Sequence, residues 1–349
     1  MKRKLLLAAM ISAGMAMPAM ADTTLYGRAN LSVDYLDDGK DYSEVNVSSN
    51  SSRLGFKGER DFGVVTGIFQ IEGEILFDTG SDNTDISSRD TFAGIKGDWG
   101  MLRIGKFDTP FKRARGPANF FGDIVGDMRN LARTTDFGRF DERFKNSIHY
   151  RSPSMSGLVL DLQYSPETSD ADTSDGNKRS AVSTSLSYSS GPFRAALAFE
   201  QQGITATSMD DFTADAIRLA ASYRVSSDLT LGGFYQQSER TRDVTTATKG
   251  DKADVYGFGG QYRLSPAWFL NAHYFTLKAD NLNDKDADLY AVGVEYRVDR
   301  NLRFYGVYAA TSNDGGSSLT SWSAARSATP SGAAGQTASA LSAGMRLDF

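Results

Sequence analysis

Cysteine is absent from the 349 residues of this chain, and its absence excludes several kinds of site at once. Disulfides, catalytic thiolates and cysteine-ligated zinc all require a thiol. Histidine is scarce too, with only His149 and His273 present. The net charge is −5 and there is no polybasic patch, whereas proteins that bind nucleic acid carry clustered basic residues. We therefore expect no cofactor and no nucleic-acid partner.

Long apolar runs are missing after residue 21, where no run approaches the roughly 20 apolar residues that a membrane helix needs. The first 21 residues differ: a basic KRK at positions 2–4 precedes a short apolar run that ends in AMA at positions 19–21. This order is typical of a secretory signal. We predict a signal peptide over residues 1–21 and one mature domain over residues 22–349, with an uncleaved N-terminal anchor as the alternative.

Apolar and polar residues alternate through the rest of the chain. The last nine residues, LSAGMRLDF, place Leu341, Ala343, Met345, Leu347 and Phe349 on one face. The same period of two recurs in residues 25–33, 69–77, 217–225 and 290–298. Because successive side chains of a strand point to opposite faces, these segments predict β-strands with one apolar and one polar face.

The connections between these strands are of two kinds that alternate along the chain. Short ones such as GDWG, SSGP and VDRN alternate with long polar ones such as DTGSDNTDISS and PETSDADTSDGNK. An up-and-down barrel has this order, because one rim carries turns and the other carries loops. We therefore predict an all-β fold, a 16-stranded antiparallel transmembrane β-barrel. Its last strand closes the ring, with Phe349 pointing outward at the aromatic belt.

The predicted strands span residues 24–36, 44–59, 63–78, 88–98, 100–107, 143–153, 157–165, 179–190, 192–202, 212–225, 228–239, 252–264, 267–279, 286–299, 301–312 and 337–349. Tyr223, Tyr262 and Tyr296 each fall on the apolar face beside a short turn, where an aromatic belt is expected.

One long segment, residues 108–142, interrupts the rhythm of strands. It exceeds an ordinary connection in length, so it is expected to be either functional or disordered. Its content of Phe, Ile, Val and Met is too high for disorder. We predict that it packs inside the barrel, narrows the lumen and presents Asp123 and Asp127 to the water there.

Several motifs resemble, in their order, those of general bacterial porins: LYGRANLSVDY, SSRLGFKGERDFG, LRIGKFDTPF, FFGDIVGD, NSIHYRSPSMSGL and the terminal Phe. The resemblance covers essentially the whole mature chain. It implies a homotrimeric outer-membrane protein that forms a water-filled channel for passive diffusion of ions and small hydrophilic solutes, surrounded by lipid and lipopolysaccharide. It also implies that loop 3, the long segment, folds into the lumen, where its carboxylates face basic side chains of the wall.

The expected constriction combines the resemblance with the alternation. By position in its motifs, the resemblance implies wall cations at Arg28, Arg53, Lys106 and Arg143. Alternation independently turns Arg28, Arg53 and Lys57 inward, but it turns Arg103 inward and Lys106 outward unless the strand bends at Gly105. The predicted basic set is therefore Arg28, Arg53, Lys57, Arg103, Lys106 and Arg143, and the predicted acidic set is Asp123 and Asp127.

Other functions stay open on the sequence. An enzyme would need a nucleophile and a base, and neither histidine lies in such a motif. A substrate-selective channel for an anion or a sugar, or a receptor or adhesin on a barrel scaffold, would share the same strands. The acidic mature chain predicts a weak preference for cations at the mouth of the channel.

Overall fold

The computed structural model describes residues 22–79, 85–133, 140–168, 179–204, 212–242, 251–280, 284–324 and 330–349. The predicted signal peptide, residues 1–21, lies outside the described residues. Within them the chain forms 17 strand segments: β1 (Asp22–Asp37), β2 (Ser43–Ser49), β3 (Arg53–Asp61), β4 (Thr66–Glu74), β5 (Thr91–Gly97), β6 (Gly100–Asp108), β7 (Arg143–Arg151), β8 (Leu158–Ser165), β9 (Ala181–Ser190), β10 (Phe193–Ile204), β11 (Phe212–Arg224), β12 (Leu229–Arg242), β13 (Asp251–Arg263), β14 (Trp268–Asp280), β15 (Ala287–Arg297), β16 (Leu302–Asn313) and β17 (Thr337–Asp348).

These segments form one closed antiparallel ring. Consecutive strands pair along the chain, except that β2 does not pair with β3, and β1 pairs with β17 to close the barrel. Both β2 and β3 pair with β1, so they count as one strand of the ring that is interrupted at residues 50–52. The ring therefore has sixteen strands, which confirms the predicted fold class. The predicted single strand over residues 44–59 is wrong in one detail, because Ser51 adopts a φ of 55° and breaks the pairing.

The barrel has the reverse polarity of a water-soluble protein. Large apolar side chains such as Leu197, Leu219 and Leu341 are about half exposed on the outside. Their neighbours in the same strands, such as Arg218 and Ser342, are buried on the inside. Closure of the ring lets each strand pair its backbone amides with both neighbours. The alternation of side chains keeps the exterior apolar and the interior polar. The predicted belt residues Tyr223, Tyr262 and Tyr296 lie on this exposed face.

The closing strand engages the first strand to its last residue. Gly27 N donates to the Phe349 carbonyl at 2.8 Å, and Phe349 N donates to the Gly27 carbonyl at 3.0 Å. The Phe349 side chain is 59% exposed, as expected for an outward ring. A Cβ atom on Gly27 would lie 2.4 Å from that ring, so a glycine here leaves the space that the ring occupies.

Helices are confined to short turns in the described residues. They are α1 (Pro110–Arg113), a 3-10 turn (Gly116–Ala118) and α2 (Arg129–Ala132), all within the long segment. In the part of the chain that the structure describes, no helix has the length and apolar character required to span a membrane.

Candidate functional site

The long segment between β6 and β7 packs against the inward face of the wall. We call its described part, residues 109–133 and 140–142, the constriction segment. Its apolar side chains join three clusters with wall residues. Phe111 and Phe140 pack on Ala196, Ala198, Ala214 and Ala216; Met128 and Leu131 on Ala220, Phe234, Val255 and Phe275; Phe121 and Val125 on Ala291, Val307, Ala309 and Ala340. The strands carry these residues at positions that alternate with exposed ones, so the segment covers the inner face.

A buried ion pair fastens the end of the constriction segment to the wall. Arg218 of β11 donates to both carboxylate oxygens of Asp141, at 2.7 and 3.0 Å, and to the carbonyl of Phe111 at 2.8 Å. Arg218 and Asp141 are both fully buried at their side chains. Burial acts to raise the pKa of Asp141, but Arg218 and then Arg115 outweigh it and lower that pKa to about 2. The carboxylate is therefore ionised, as its partners require.

Asp123 of the constriction segment lies close to arginines of both the segment and the barrel wall. Its carboxylate lies 2.8 Å from Arg129 within the segment, 3.6 Å from Arg53 of β3 and 3.8 Å from Arg28 of β1. Burial would raise its pKa, but Arg129 first and then Arg53 hold it well below the ordinary range. Asp123 has a φ of 66°, a left-handed conformation that aspartate tolerates better than most residues. The structure thus brings together three of the predicted site residues.

The two wall arginines stand side by side. Arg28 and Arg53 face each other across the β1–β3 pair, and Arg28 Nε donates to Asp348 at 2.6 Å. Arg53 also lies 3.9 Å from Glu72, which accepts from Arg89 Nε at 2.6 Å. Two adjacent guanidiniums of like charge are held in place because carboxylates flank them on both sides.

Asp127 does not have the predicted role. Its side chain is fully buried and accepts from Arg129 Nη2 at 2.6 Å and from the backbone N of Asp123 at 2.8 Å. The expectation that it faces water in the lumen is therefore wrong. Asp127 instead positions Arg129 and the turn that carries Asp123. Asp127 lies four positions after Asp123, and its carboxylate caps the backbone N of Asp123.

The remaining predicted residues occupy other parts of the inner wall. Arg103 Nε donates to His149 Nδ1 at 3.0 Å, and its guanidinium lies 4.0 Å from the centre of the Phe107 ring. Arg143 lies 2.7 Å from Asp90 and 3.0 Å from Asp108. Lys57 lies over the Tyr26 ring at 5.0 Å. None of these five contacts includes Asp123.

The register of β6 shifts between Gly105 and Phe107, where Gly105 has a φ of 146°. Two steps along β6, from Gly105 to Phe107, oppose three along β7, from Ser147 to Phe144, so the extra residue lies in β7. Arg103 and Phe107 are both buried while Ile104 is 60% exposed, so the alternation of β6 continues through Gly105 and is not reversed there. Lys106 Nζ donates to the carbonyl of Ser87 at 3.4 Å, in the connection between β4 and β5. Phe107 is fully buried against Phe92 and His149.

Sequence reasoning missed the cations that hold the segment together. Arg129 and Arg218 are the main ones and Arg115 assists them, whereas Arg89 pairs with Glu72 of β4. One signal was available: β10 and β11 carry alanines at inward positions, where an open lumen would have polar residues. Among the described residues, no cluster of three or more His, Asp or Glu side chains is placed to hold a metal ion.

Two cavities border the constriction segment, and arginines outnumber carboxylates in the wall of each. The first, about 470 Å³, is lined by Arg194, Arg297, Arg303 and Arg346 with the carboxylates Asp123 and Glu295. The second, about 360 Å³, is lined by Arg113, Arg151 and Arg194 with Asp161. A solute beside the segment therefore meets more positive than negative side chains.

Comparisons with known proteins agree with this architecture. A family model described as Gram-negative porin matches residues 6–316. The outer membrane porin protein 32 of Delftia acidovorans is 27% identical over 337 residues, covering 91% of this chain and 92% of that protein.

Two solved structures are similar in fold. An anion-selective porin from Comamonas acidovorans has a TM-score of 0.83 at 23% identity and covers 94% of this chain and 100% of its own. The trimer form of OmpT, an outer membrane protein of Vibrio cholerae, has a TM-score of 0.71 at 16% identity and covers 95% and 100%.

Proposed function

The chain belongs to the Gram-negative porin family, and from that premise we propose that it forms a water-filled channel across the outer membrane for passive diffusion of ions and small hydrophilic solutes. One observation carries the proposal: the closed ring is apolar outside and charged inside. Transport of this kind makes and breaks no bond, so an electrochemical gradient is the only driving force required.

We place the selective part of the channel at the constriction segment. The carboxylate of Asp123 faces Arg28 and Arg53, so opposite charges lie across the passage between segment and wall. Opposed charges in a narrow, poorly polarisable space produce a strong transverse field, which orders water and polar solutes. Apolar solutes would have to displace that ordered water, whereas small ions replace it with favourable contacts.

Planar-bilayer recording tests the channel function directly. Purified protein added to a bilayer between salt solutions, with nothing else present, is expected to produce stepwise ion currents. We also propose a homotrimer, since a structurally similar protein has been solved in a trimer form, so the steps should close in groups of three. A bilayer that stays insulating would contradict the channel, and single closures only would contradict the trimer.

The exposed face of the barrel is proposed to contact outer-membrane lipid and lipopolysaccharide. Tyr235 and Tyr274 on this face donate to Asp254 and Asp288 on the adjacent strands, each at 2.7 Å. Tyrosines that combine an apolar ring with a hydrogen-bonded hydroxyl are typical of a membrane boundary. Lipopolysaccharide should therefore copurify with the native protein in mild detergent, and its absence from such preparations would argue against the contact.

The location of charge supports a preference for anions, opposite to the cation preference expected from net charge. Selectivity depends on charges within about one Debye length of the ion, roughly 10 Å at 0.1 M salt. Among the described residues, Arg194, Arg297, Arg303 and Arg346 line the cavity beside the constriction segment, where only two carboxylates, Asp123 and Glu295, oppose them. The similar porin from Comamonas acidovorans is described as anion-selective, which is consistent with the proposal.

Reversal potentials in a salt gradient measure this preference. We expect the wild type to favour chloride over potassium, and the double variant Arg303→Gln/Arg346→Gln to shift the reversal potential towards zero, because two lumen cations are removed. The matched control is Lys278→Gln, which removes a cation from the outer face, where Lys278 is half exposed and pairs with Asp286. A wild-type preference for potassium would overturn the proposal.

A further inference from the structure

The connection between β16 and β17 also contacts the constriction segment. We call the described part of the β16–β17 connection, residues 314–324 and 330–336, the brace segment. The backbone N of Gly126 donates to the carbonyl of Ser321 at 2.7 Å. Asn130 Oδ1 accepts from the backbone N of Ala324 at 2.8 Å and from Ser323 Oγ at 3.2 Å. Three hydrogen bonds therefore join two connections that are far apart in the sequence.

An apolar contact reinforces these hydrogen bonds. Trp322 is 1% exposed and belongs to the same cluster as Phe121 and Val125 of the constriction segment. Its Nε1 donates to the carbonyl of Pro330 at 3.1 Å, so the buried indole also satisfies its polar group. A large aromatic ring packed on this side limits the movement of residues 121–125.

The brace segment is itself tied to the wall. Asn313, at the end of β16, donates through Nδ2 to the carbonyls of Leu319 and Gln336, both at 2.9 Å. Its Oδ1 accepts from the backbone N of Leu319 at 2.9 Å and from Ser317 Oγ at 3.0 Å. The buried Asn313 amide thus hydrogen-bonds to groups near both ends of the brace segment. These bonds fix the position of the brace segment relative to β16.

The brace segment contacts residues adjacent to those that orient the charged side chains of the site. Gly126 lies three residues after Asp123, and Asn130 directly follows Arg129, the partner of Asp123. Gly126 has a φ of 83°, and a Cβ atom there would lie 2.7 Å from the Ala291 side chain. The backbone at this point is therefore clamped between β15 on one side and Ser321 on the other.

We propose that the brace segment is a positioning element for the channel, which holds residues 126–130 so that Asp123 and Arg129 keep one geometry opposite Arg28 and Arg53. The proposal rests on the channel function proposed above. Without the brace, the constriction segment would keep its anchors at Phe111 and Asp141 but would move in between. The expected consequence is an open-channel current that fluctuates between levels.

The absence of cysteine from the chain permits a reversible test. In the variant Asn130→Cys/Ser323→Cys the hydrogen bonds through Asn130 Oδ1 are lost, and oxidation can replace them with a disulfide. We expect the reduced variant to show markedly higher open-channel noise than the wild type in a planar bilayer. Oxidation should return the noise to the wild-type level, and added reductant should raise it again in the same channel.

The controls separate this proposal from its premise. The wild type and the single variants Asn130→Cys and Ser323→Cys should show no response to reductant, since none can form the internal disulfide. Wild-type noise in the reduced double variant would overturn the positioning role, and so would equal noise in the reduced and oxidised double variant once the disulfide has formed. A wild type that carries no current would instead refute the channel function.

Discussion

Removal of the constriction segment is expected to raise the single-channel conductance on the order of twofold, because a sixteen-stranded barrel without an internal obstruction leaves a wide aqueous channel. The structure shows how to make the deletion. Thr109 N donates to the Glu142 carbonyl at 3.3 Å, so the two ends of the segment already meet. Replacement of residues 110–141 by an Asn-Gly turn should preserve the pairing of Asp108 with Arg143.

A control deletion distinguishes the segment from other connections. Residues 38–42, which join β1 to β2, provide this control: residues 39–42 are exposed and Asp38 N donates to the Tyr42 carbonyl at 3.0 Å, so residues 39–41 can be replaced by an Asn-Gly turn. This change should leave the conductance near the wild-type value. The uptake limit for uncharged sugars in liposomes should increase only in the first variant. Unchanged conductance after replacement of residues 110–141 would mean that the segment does not obstruct the passage, and the proposed constriction would be wrong.

Loss of the Asp141 carboxylate is expected to have the largest effect on stability. The variant Asp141→Asn leaves the fully buried Arg218 guanidinium without its bidentate partner. Removal of one member of a buried ion pair costs about 3–5 kcal/mol, because the remaining charge stays buried and uncompensated. Urea-dependent unfolding of the protein in lipid vesicles, followed by electrophoretic mobility of the folded barrel, measures the change.

Two further variants make the Asp141 experiment specific. The double change Arg218→Met/Asp141→Asn removes both charges and should restore part of the lost stability, since neither member of the pair is then left charged and buried. Asparagine is chosen because residue 141 has a φ of 64°, which asparagine tolerates. Arg263→Gln breaks an ion pair with Asp228 in which both side chains are about 40% exposed, and it should cost less than about 1 kcal/mol. A loss for Asp141→Asn no larger than that for Arg263→Gln would contradict the anchoring role.

The ion pair of Asp141 with Arg218 should also keep its contribution to stability at acidic pH. The pKa of Asp141 in the fold is about 2, below its ordinary value of 3.8. A carboxyl with a lowered pKa contributes its full stability above the unfolded-state value, and it loses that contribution as the pH falls towards the folded-state value. The contribution of Asp141 should therefore be complete above about pH 4 and decline only between there and about pH 2.

The fold followed from local pattern, and the predicted strands illustrate the reason. A period of two is a property of the strand itself, so residues 341–349 indicate an apolar face whatever lies next to them. The interruption of the predicted strand 44–59, at residues 50–52, arose where side chains take over the pairing: Ser52 Oγ accepts from the backbone N of Asn30 at 2.9 Å. A break of that kind depends on a neighbour in another strand.

The site could be predicted only in part. Arg28 and Arg53 were found because parity and motif agreed on them, and Asp123 because it lies in an apolar loop that has to pack. The prediction that Asp127 faces the lumen was wrong, since the burial of its side chain depends on Arg129 folding back over it. The arginines that line the first cavity come from β10, β15, β16 and β17, and no feature of any one strand indicates that they face the same space.

By itself the sequence determined the alternating strands, their even number, the closure of the ring and the presence of one segment too apolar to stay outside. These properties follow from short-range periodicity and composition, which each segment carries alone. Only the tertiary structure decided which charges meet across the passage, that Asp127 is internal, and that the β16–β17 connection contacts the constriction segment. Such contacts join residues as far apart as Asn130 and Ala324, and their energies depend on distances and burial that exist only once the ring has closed.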